Sequence, residues 1–458
     1  MANITDTLPM SMRYTITGLD AIQSRTRLSR FDATSSEYTS NSNNKILIPI
    51  QADGFIDTSK SYLFFQVQSL HTDSGSVACN FDGNLASIID KLEISVSGSS
   101  GKVETLDRYN VYHLYDQVWN SGVEDISYQQ AVNGGSAPAL DWSSNGKELA
   151  IAGGTAASGS GANAVPAKPD TTTLAIKLKA GFLNSYFNKA LPAGLPQFTL
   201  EITLAPGSQA FVYSTNGANT EYKISQARFY APVYTILDEQ AMGAYTRQIQ
   251  SSPTMWIAQS VSTIINSSGT GSGKQTYQLN ASYRSLNGLV SLMRPTANVI
   301  DKVKNSLTAF NLTSVGGFLY RIGGIQFPSD TIDYNNVETR TVGLNVSRAY
   351  MEASKTLAPH GHTYAKTTAV SQARFISGND AQTTAIPIVG AGSMCVSLVR
   401  FADDRLVNLG LNTAGTSAPS ILEVDFNTAP ASNMDITTLC LYDCVWMMNP
   451  NGTIERRF

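Results

Sequence analysis

"LPQFTLEITLAP" (residues 195–206) and "APSILEVDFNTAP" (residues 418–430) follow one plan. Each has a proline, then Leu-Glu inside an alternating apolar/polar run, then Ala-Pro. Alternation with period two is strand spacing, because successive side chains of a strand point to opposite faces. The same strand written twice, about half a chain apart, raises the possibility that a whole unit is written twice.

The flanking sequence repeats in the same order. Upstream, "IDKLEIS" (89–95) leads through a glycine loop to Glu104 and then to "LDRYNVYHLYDQVW" (106–119). There Val111, Leu114, Tyr115 and Val118 fall on one face, which predicts a helix. Its counterpart is "FLYRIGGIQF" (318–327), which leads through a turn to Glu338 and "VGLNVSRAYM" (342–351). Downstream, "ISQARFYAPVYTI" (224–236) matches "ITTLCLYDCVWMM" (436–448). With Leu92/Ile322, Glu201/Glu423 and Phe229/Leu441 as anchors, the three offsets lie between 212 and 230 residues. "SYLFFQVQSL" (61–70) and "TTLAIKLKAG" (172–181) add further strands. Helical spacing recurs once more, in "RSLNGLVSLMR" (284–294), which aligns Leu286, Leu289, Val290 and Met293.

Many strands and few helices in two similar halves predict an all-β fold of two packed-sheet domains. The two-sheet, eight-stranded jelly roll suits them, because it limits exposed edges. The expected architecture is two tandem eight-stranded jelly rolls with short helices and long loop insertions. The first spans 44–237, with an insertion at about 134–169 that is poor in large apolar residues. The second spans 238–458, with a loop at about 266–276. Residues 1–43 form an N-terminal arm, polar and closed by "TSSEYTSNSNN", that carries Arg13, Arg25, Arg27 and Arg30. Such an arm either stays without fixed structure or orders on a neighbour or an internal surface.

Composition narrows the function classes. Charged residues are 15% of the 458, against about 25% in an average soluble protein. That suits a surface largely engaged by neighbours better than a solitary enzyme. A net charge of −3 gives no electrostatic case for direct nucleic-acid binding. Cys79, Cys395, Cys440 and Cys444 are too few and scattered for a disulfide framework. Cys440 and Cys444 would sit roughly 13 Å apart on one strand, beyond bonding reach. The N-terminus lacks the basic start and apolar core of a signal peptide. No apolar run is long enough for a membrane-spanning helix.

Catalytic candidates are sparse. "NSSGTGSGKQT" (266–276) ends in Gly273-Lys274 like a phosphate loop, but Ser268 stands for the first glycine and Gln275 for the magnesium-binding hydroxyl. Tyr277, Leu279, Ala281 and Tyr283 alternate after it, so the stretch reads as a β-hairpin tip. His360 and His362 in "PHGH" form a two-ligand metal clip only if extended, with no third ligand nearby in sequence. His113 belongs to a helix, His71 to a polar turn, and Asp403 and Asp404 to a solvated turn. No nucleophile elbow or glycosidase carboxylate pattern occurs. No catalytic, cofactor-binding or metal residue is assigned.

With these features assembled, the chain from about residue 45 onward resembles the double jelly-roll major capsid proteins of icosahedral DNA viruses, of the virophage, Polinton-like and lipid-containing phage type. The carriers are "ASIIDKLEISVSGSSGKVETLDRYNVYHLY", "GLPQFTLEITLAP", "YRSLNGLVSLMR", "GGIQFPSDTIDYNNVETRTVGLNVSRAYMEA" and "LYDCVWMMNPNGTIERRF". The resemblance implies a structural, non-enzymatic virion protein made in the host cell without a secretion signal. It implies homotrimers whose six jelly rolls form a pseudo-hexameric capsomer, with outward loops and an inward arm. Neighbouring capsomers, penton proteins and minor capsid proteins are the implied partners. Arg13, Arg25, Arg27 and Arg30 are then candidates to meet minor proteins or an internal lipid membrane. The rival expectation is a tandem β-sandwich adhesin or spike that binds receptors or glycans through its loops.

Overall fold

The computed structural model describes residues 24–69, 78–99, 101–120, 171–184, 189–213, 221–301, 314–334, 347–358, 392–399, 410–415 and 419–457, together with 132, 151–152, 307, 310, 312 and 375. Two β-sandwiches follow one another along the chain. The first is built from β1 (Ser24–Asp32), β2 (Lys45–Ile50), β3 (Tyr62–Ser69), β4 (Ile89–Val96), β5 (Lys102–Asp107), β6 (Thr171–Ile176), β7 (Phe198–Leu204) and β8 (Tyr222–Ile236). The second is built from β9 (Thr254–Ser268), β10 (Gly273–Leu279), β11 (Leu286–Pro295), β12 (Val315–Ile322), β13 (Ile325–Asp333), β14 (Met394–Ser397), β15 (Ser420–Phe426) and β16 (Met434–Met448). Helix α1 (Tyr109–Asn120) follows β5, α2 (Glu239–Ser251) joins the sandwiches, and α3 (Ser347–Thr356) follows β13.

The sheet orders show the repeat. Sheet 1 runs β1-β8-β3-β6 and sheet 2 runs β2-β7-β4-β5. In the second unit, sheet 3 runs β9-β16-β11-β14 and sheet 4 runs β10-β15-β12-β13. Adding eight to each strand number converts the first pair into the second. Both are the order of an eight-stranded jelly roll, so the expected all-β, double jelly-roll fold is the observed one. The quoted strands at 198–204 and 420–426 are β7 and β15, equivalent positions with the same strict alternation of buried and half-buried residues. A short strand, β17 (Ile454–Arg457), adds to β16.

Residues 24–39, within the expected arm, are part of the first unit. β1 pairs with β8 along its whole length, and Glu37–Thr39 pairs with the start of β8. The expected insertion at 134–169 lies outside the described residues apart from Ile151–Ala152, which pair with Ala78–Cys79.

Two local expectations are corrected. Residues 286–295 are strand β11, not a helix, and Leu286 to Arg294 are buried without a break. A strand covered on both faces loses the alternation that would distinguish it from a helix, so the i, i+3, i+4 match there was fortuitous. Residues 269–272 do not tip a hairpin either. β9 pairs with β16 in sheet 3, whereas β10 pairs with β15 in sheet 4, so this loop crosses from one sheet to the other. The helix predicted around Val111 is α1.

Burial separates two otherwise equivalent strands. β8 alternates between buried and half-buried on either side of exposed Gln226 as far as Tyr234, while β16 is buried at every residue but Val445. The outer face of sheet 3 is therefore covered along its central strands β11 and β16, and the outer face of sheet 1 is not covered along β8.

Candidate assembly interface

Among the described residues no group of three His, Cys, Asp or Glu is placed to hold a metal. Lys274 lies on β10 opposite Asp425, beside a shallow hollow of about 240 Å³ also lined by Asp333 and Glu423. One ammonium among three carboxylates offers a phosphate net repulsion. His113 is buried in α1 against the Lys177 carbonyl, and burial pulls its pKa down to about 3. Cys395, Cys440 and Cys444 are free and buried, with the first two thiols pushed up to about 12 by burial. Such thiols are inert at neutral pH. His71, His360, His362, Asp403, Asp404 and Glu338 lie outside the described residues.

What the described residues build is a seam between the two units. β5 contributes Glu104, 1% exposed, whose carboxylate accepts from the Gly181 and Phe182 N–H groups at 3.0 and 2.8 Å. Ser260 on β9 of the second unit donates to the same carboxylate at 2.6 Å. Burial raises the Glu104 pKa, opposed by these three donors. The Phe182 ring stands edge-on to Trp256 and Trp446, and the Trp256 indole N–H donates to the Phe182 carbonyl at 3.2 Å. Gly181 is required here, because a Cβ would lie 2.5 Å from the Trp446 ring and 2.8 Å from the Gln259 carbonyl oxygen.

α1 continues the seam. Tyr115 hydrogen-bonds Ser393 and stands edge-on to Phe310, and Trp119 packs on Tyr350 and Phe375. Asp82 accepts from the Leu307 N–H at 2.6 Å, and Thr263 donates to the Asp107 carbonyl at 2.7 Å. The Asp435 carboxylate is shared by buried Arg294, at 2.9 Å, and by Arg108 of the first unit, at 3.8 Å. Aromatic packing and buried hydrogen bonds join the two sandwiches.

The predicted contact residues fall elsewhere. Arg13 is outside the described residues, while Arg25, Arg27 and Arg30 lie on β1, at the edge of sheet 1. Arg27 pairs with Asp53 at 2.8 Å and Arg30 with Asp32 at 2.9 Å, all four side chains being at least half exposed. Phe182, Trp256 and Trp446 were not singled out from sequence. The one available signal was Glu104, a carboxylate within the apolar run "VETL" that the repeat had already flagged.

No protein-family model matches the sequence, and no curated protein does. Solved structures match by shape along nearly the whole chain. The PBCV-1 virus capsid, as a quasi-atomic model, gives a TM-score of 0.60 at 11% identity, covering 97% of this chain and 99% of that one. The Faustovirus major capsid protein gives 0.58 at 8% identity, covering 96% and 93%. The mavirus major capsid protein gives 0.51 at 10% identity, covering 100% and 95%.

Proposed function

We propose that this chain, which has the double jelly-roll fold of those viral proteins, is itself a major capsid protein, a structural and non-enzymatic component of a virion. The observation that carries the reading is the fused pair of equivalent eight-stranded sandwiches, matched from end to end by capsid proteins. Two similar units in one chain let three chains present six nearly equivalent edges, the condition for tiling a shell with pseudo-hexameric capsomers. Sparse surface charge fits a molecule whose flanks are covered by neighbouring capsomers, penton proteins and minor capsid proteins.

Of the four arginines proposed to meet a minor protein or an internal membrane, Arg25, Arg27 and Arg30 belong to the sheet edge. Arg13 is the one proposed to face inward, where a cation near anionic headgroups contributes about 1 kcal/mol. Deletion of residues 1–23 tests this: particles that still assemble around a membrane at normal yield rule it out.

The capsid reading is tested by light scattering on a sizing column, followed by electron microscopy. The expected species has three times the 49.2 kDa chain mass and yields shells or hexagonal arrays. A stable monomer that binds glycans on an array sinks the reading and favours the adhesin.

A further inference from the structure

Carboxylates hold the lysines on the sheets of the first unit. On sheet 2, Lys45 meets Glu201, Lys91 meets Glu93 and Asp107, and Lys102 meets Glu93 and Glu201. On sheet 1, Lys223 meets Glu37. Lys177, one residue past β6, breaks the pattern: it has no ion pair or side-chain hydrogen bond among the described residues. The carboxylates around it are committed elsewhere. Asp116 is paired with Lys179. Asp57, whose charge Lys177 feels, is 10% exposed and accepts from the Ser59 N–H at 3.0 Å and the Tyr234 hydroxyl at 2.9 Å, with Lys60 at 3.6 Å. Lys60, Lys177 and Lys179 therefore share Asp57 and Asp116, which leaves a cation over. The surrounding protein strips water from the Lys177 ammonium and lowers its pKa, and the charge of Lys179 lowers it further. A partly desolvated cation without a partner is stabilised by any anion that reaches it.

Lys177 and Lys60 line a hollow of about 250 Å³, to which Tyr62, Ala175 and Ile176 give apolar walls. Strand register brings these residues together. Ile176 of β6 lies opposite Leu63 of β3, so Lys177 and Tyr62, one step beyond that pair, come to the same end of sheet 1. Lys60 is delivered there by one turn of 3-10 helix, Thr58–Lys60, capped by Asp57. The surface beside the hollow is apolar too. Tyr62 stacks on Tyr230 at 5.2 Å, and Phe64 meets Tyr230 edge-on at 6.1 Å. Pro232 follows on β8, with Leu28, 58% exposed, opposite it on β1. Apolar contact area around a charged anchor is the make-up of a protein-docking surface. The serine hydroxyls of the hollow are already engaged, Ser59 donating to Asp57 and Ser61 to the Thr58 carbonyl. Apolar walls with two ammonium groups suit a carboxylate on a short apolar stem better than a sugar, whose many hydroxyls need partners.

We propose that this hollow receives an aspartate or glutamate side chain of a neighbouring protein, with the carboxylate held by Lys177 and Lys60 and the stem against Tyr62 and Ala175. The partner is an acidic protein segment lying across the outer face of sheet 1. The proposal stands whether or not the chain builds a shell.

The test is calorimetric titration of the full chain with poly-L-glutamate at low salt, where such contacts are strongest. Binding is expected, and Lys177→Met is expected to weaken it by about tenfold or more. Methionine keeps the apolar stem, so the loss reports charge and not packing. Lys60→Met, at a more exposed position, is expected to weaken binding less, and Lys177→Arg is expected to retain it. Lys274→Met, on β10 of the other unit, is expected to change nothing. Thermal melts verify that each variant folds. Independently, acetylation of Lys177 by acetic anhydride, followed by mass spectrometry, is expected to slow when poly-L-glutamate is bound. Poly-L-glutamate that does not bind, or that binds the parent and Lys177→Met alike, overturns the proposal. So does binding of sialyllactose or sulfate that depends on Lys177 where poly-L-glutamate shows none, which assigns the hollow to a sugar acid or a free anion.

Discussion

Burial acts on Glu104 and His113 through the same physics, the cost of holding a charge away from water, with opposite results. The Glu104 pKa is raised, so the folded chain keeps that proton at pH values where the unfolded chain has lost it. Its contribution to stability is full below about pH 4.3, the ordinary glutamate value, and is lost as pH rises through the raised one. His113 is lowered to about 3. The unfolded chain binds the extra proton first, so this contribution is full above about pH 6.5 and is lost as pH falls. Denaturant midpoints from pH 4 to 8 are expected to fall less on the alkaline side in Glu104→Gln than in the parent. Glu104→Ala is expected to destabilise by about 3 kcal/mol, since it strands two N–H groups and a hydroxyl and leaves a cavity. The His113 ring is expected to show no titration between pH 5 and 8 by NMR.

At the scale of elements, the short segment after β6 carries more than its length suggests. Phe182→Ala is expected to cost about 3–5 kcal/mol and to split one thermal transition into two, because the ring bridges the units. Gly181→Ala is expected to cost about 1–3 kcal/mol through overpacking against Trp446. Lengthening the loop at Gly269–Gly271 by several Gly/Ser residues is expected to cost less than about 1 kcal/mol. Calorimetry measures all three. Legibility from sequence followed solvent exposure. β7 and β15, wet on one face, announced themselves by alternation and led to the repeat. β11, dry on both faces, lost its alternation and imitated a helix. The crossing of 269–272 between sheets was hidden, because a loop's sequence says how flexible it is and not which sheets it joins. The partner of Glu104 was hidden for a related reason: Ser260 lies on the other unit, and local patterning carries no record of contacts between units.

The whole molecule is two equivalent sandwiches made unequal by contact. The central strand of one jelly-roll sheet of the second unit is buried on both faces, and its equivalent in the first unit is half-buried on its outer face. The repeat alone could give two units of like topology. Which faces meet depends on side chains more than 150 residues apart, as Glu104 and Ser260 are. A chain cut after residue 237 is expected to bind a hydrophobic dye more strongly than the full chain, because Tyr115, Trp119 and Phe182 lose their cover.

That seam also sets a clock on the ribosome. The first unit emerges before the strands that shelter its α1 face. At roughly 5–20 residues per second, the remaining two hundred or so residues take about 10–40 seconds to arrive. During that interval a nascent chain carries a bare aromatic flank among many identical nascent chains. The wait is the period when wrong pairings between siblings are easiest, and when a chaperone has most to hold.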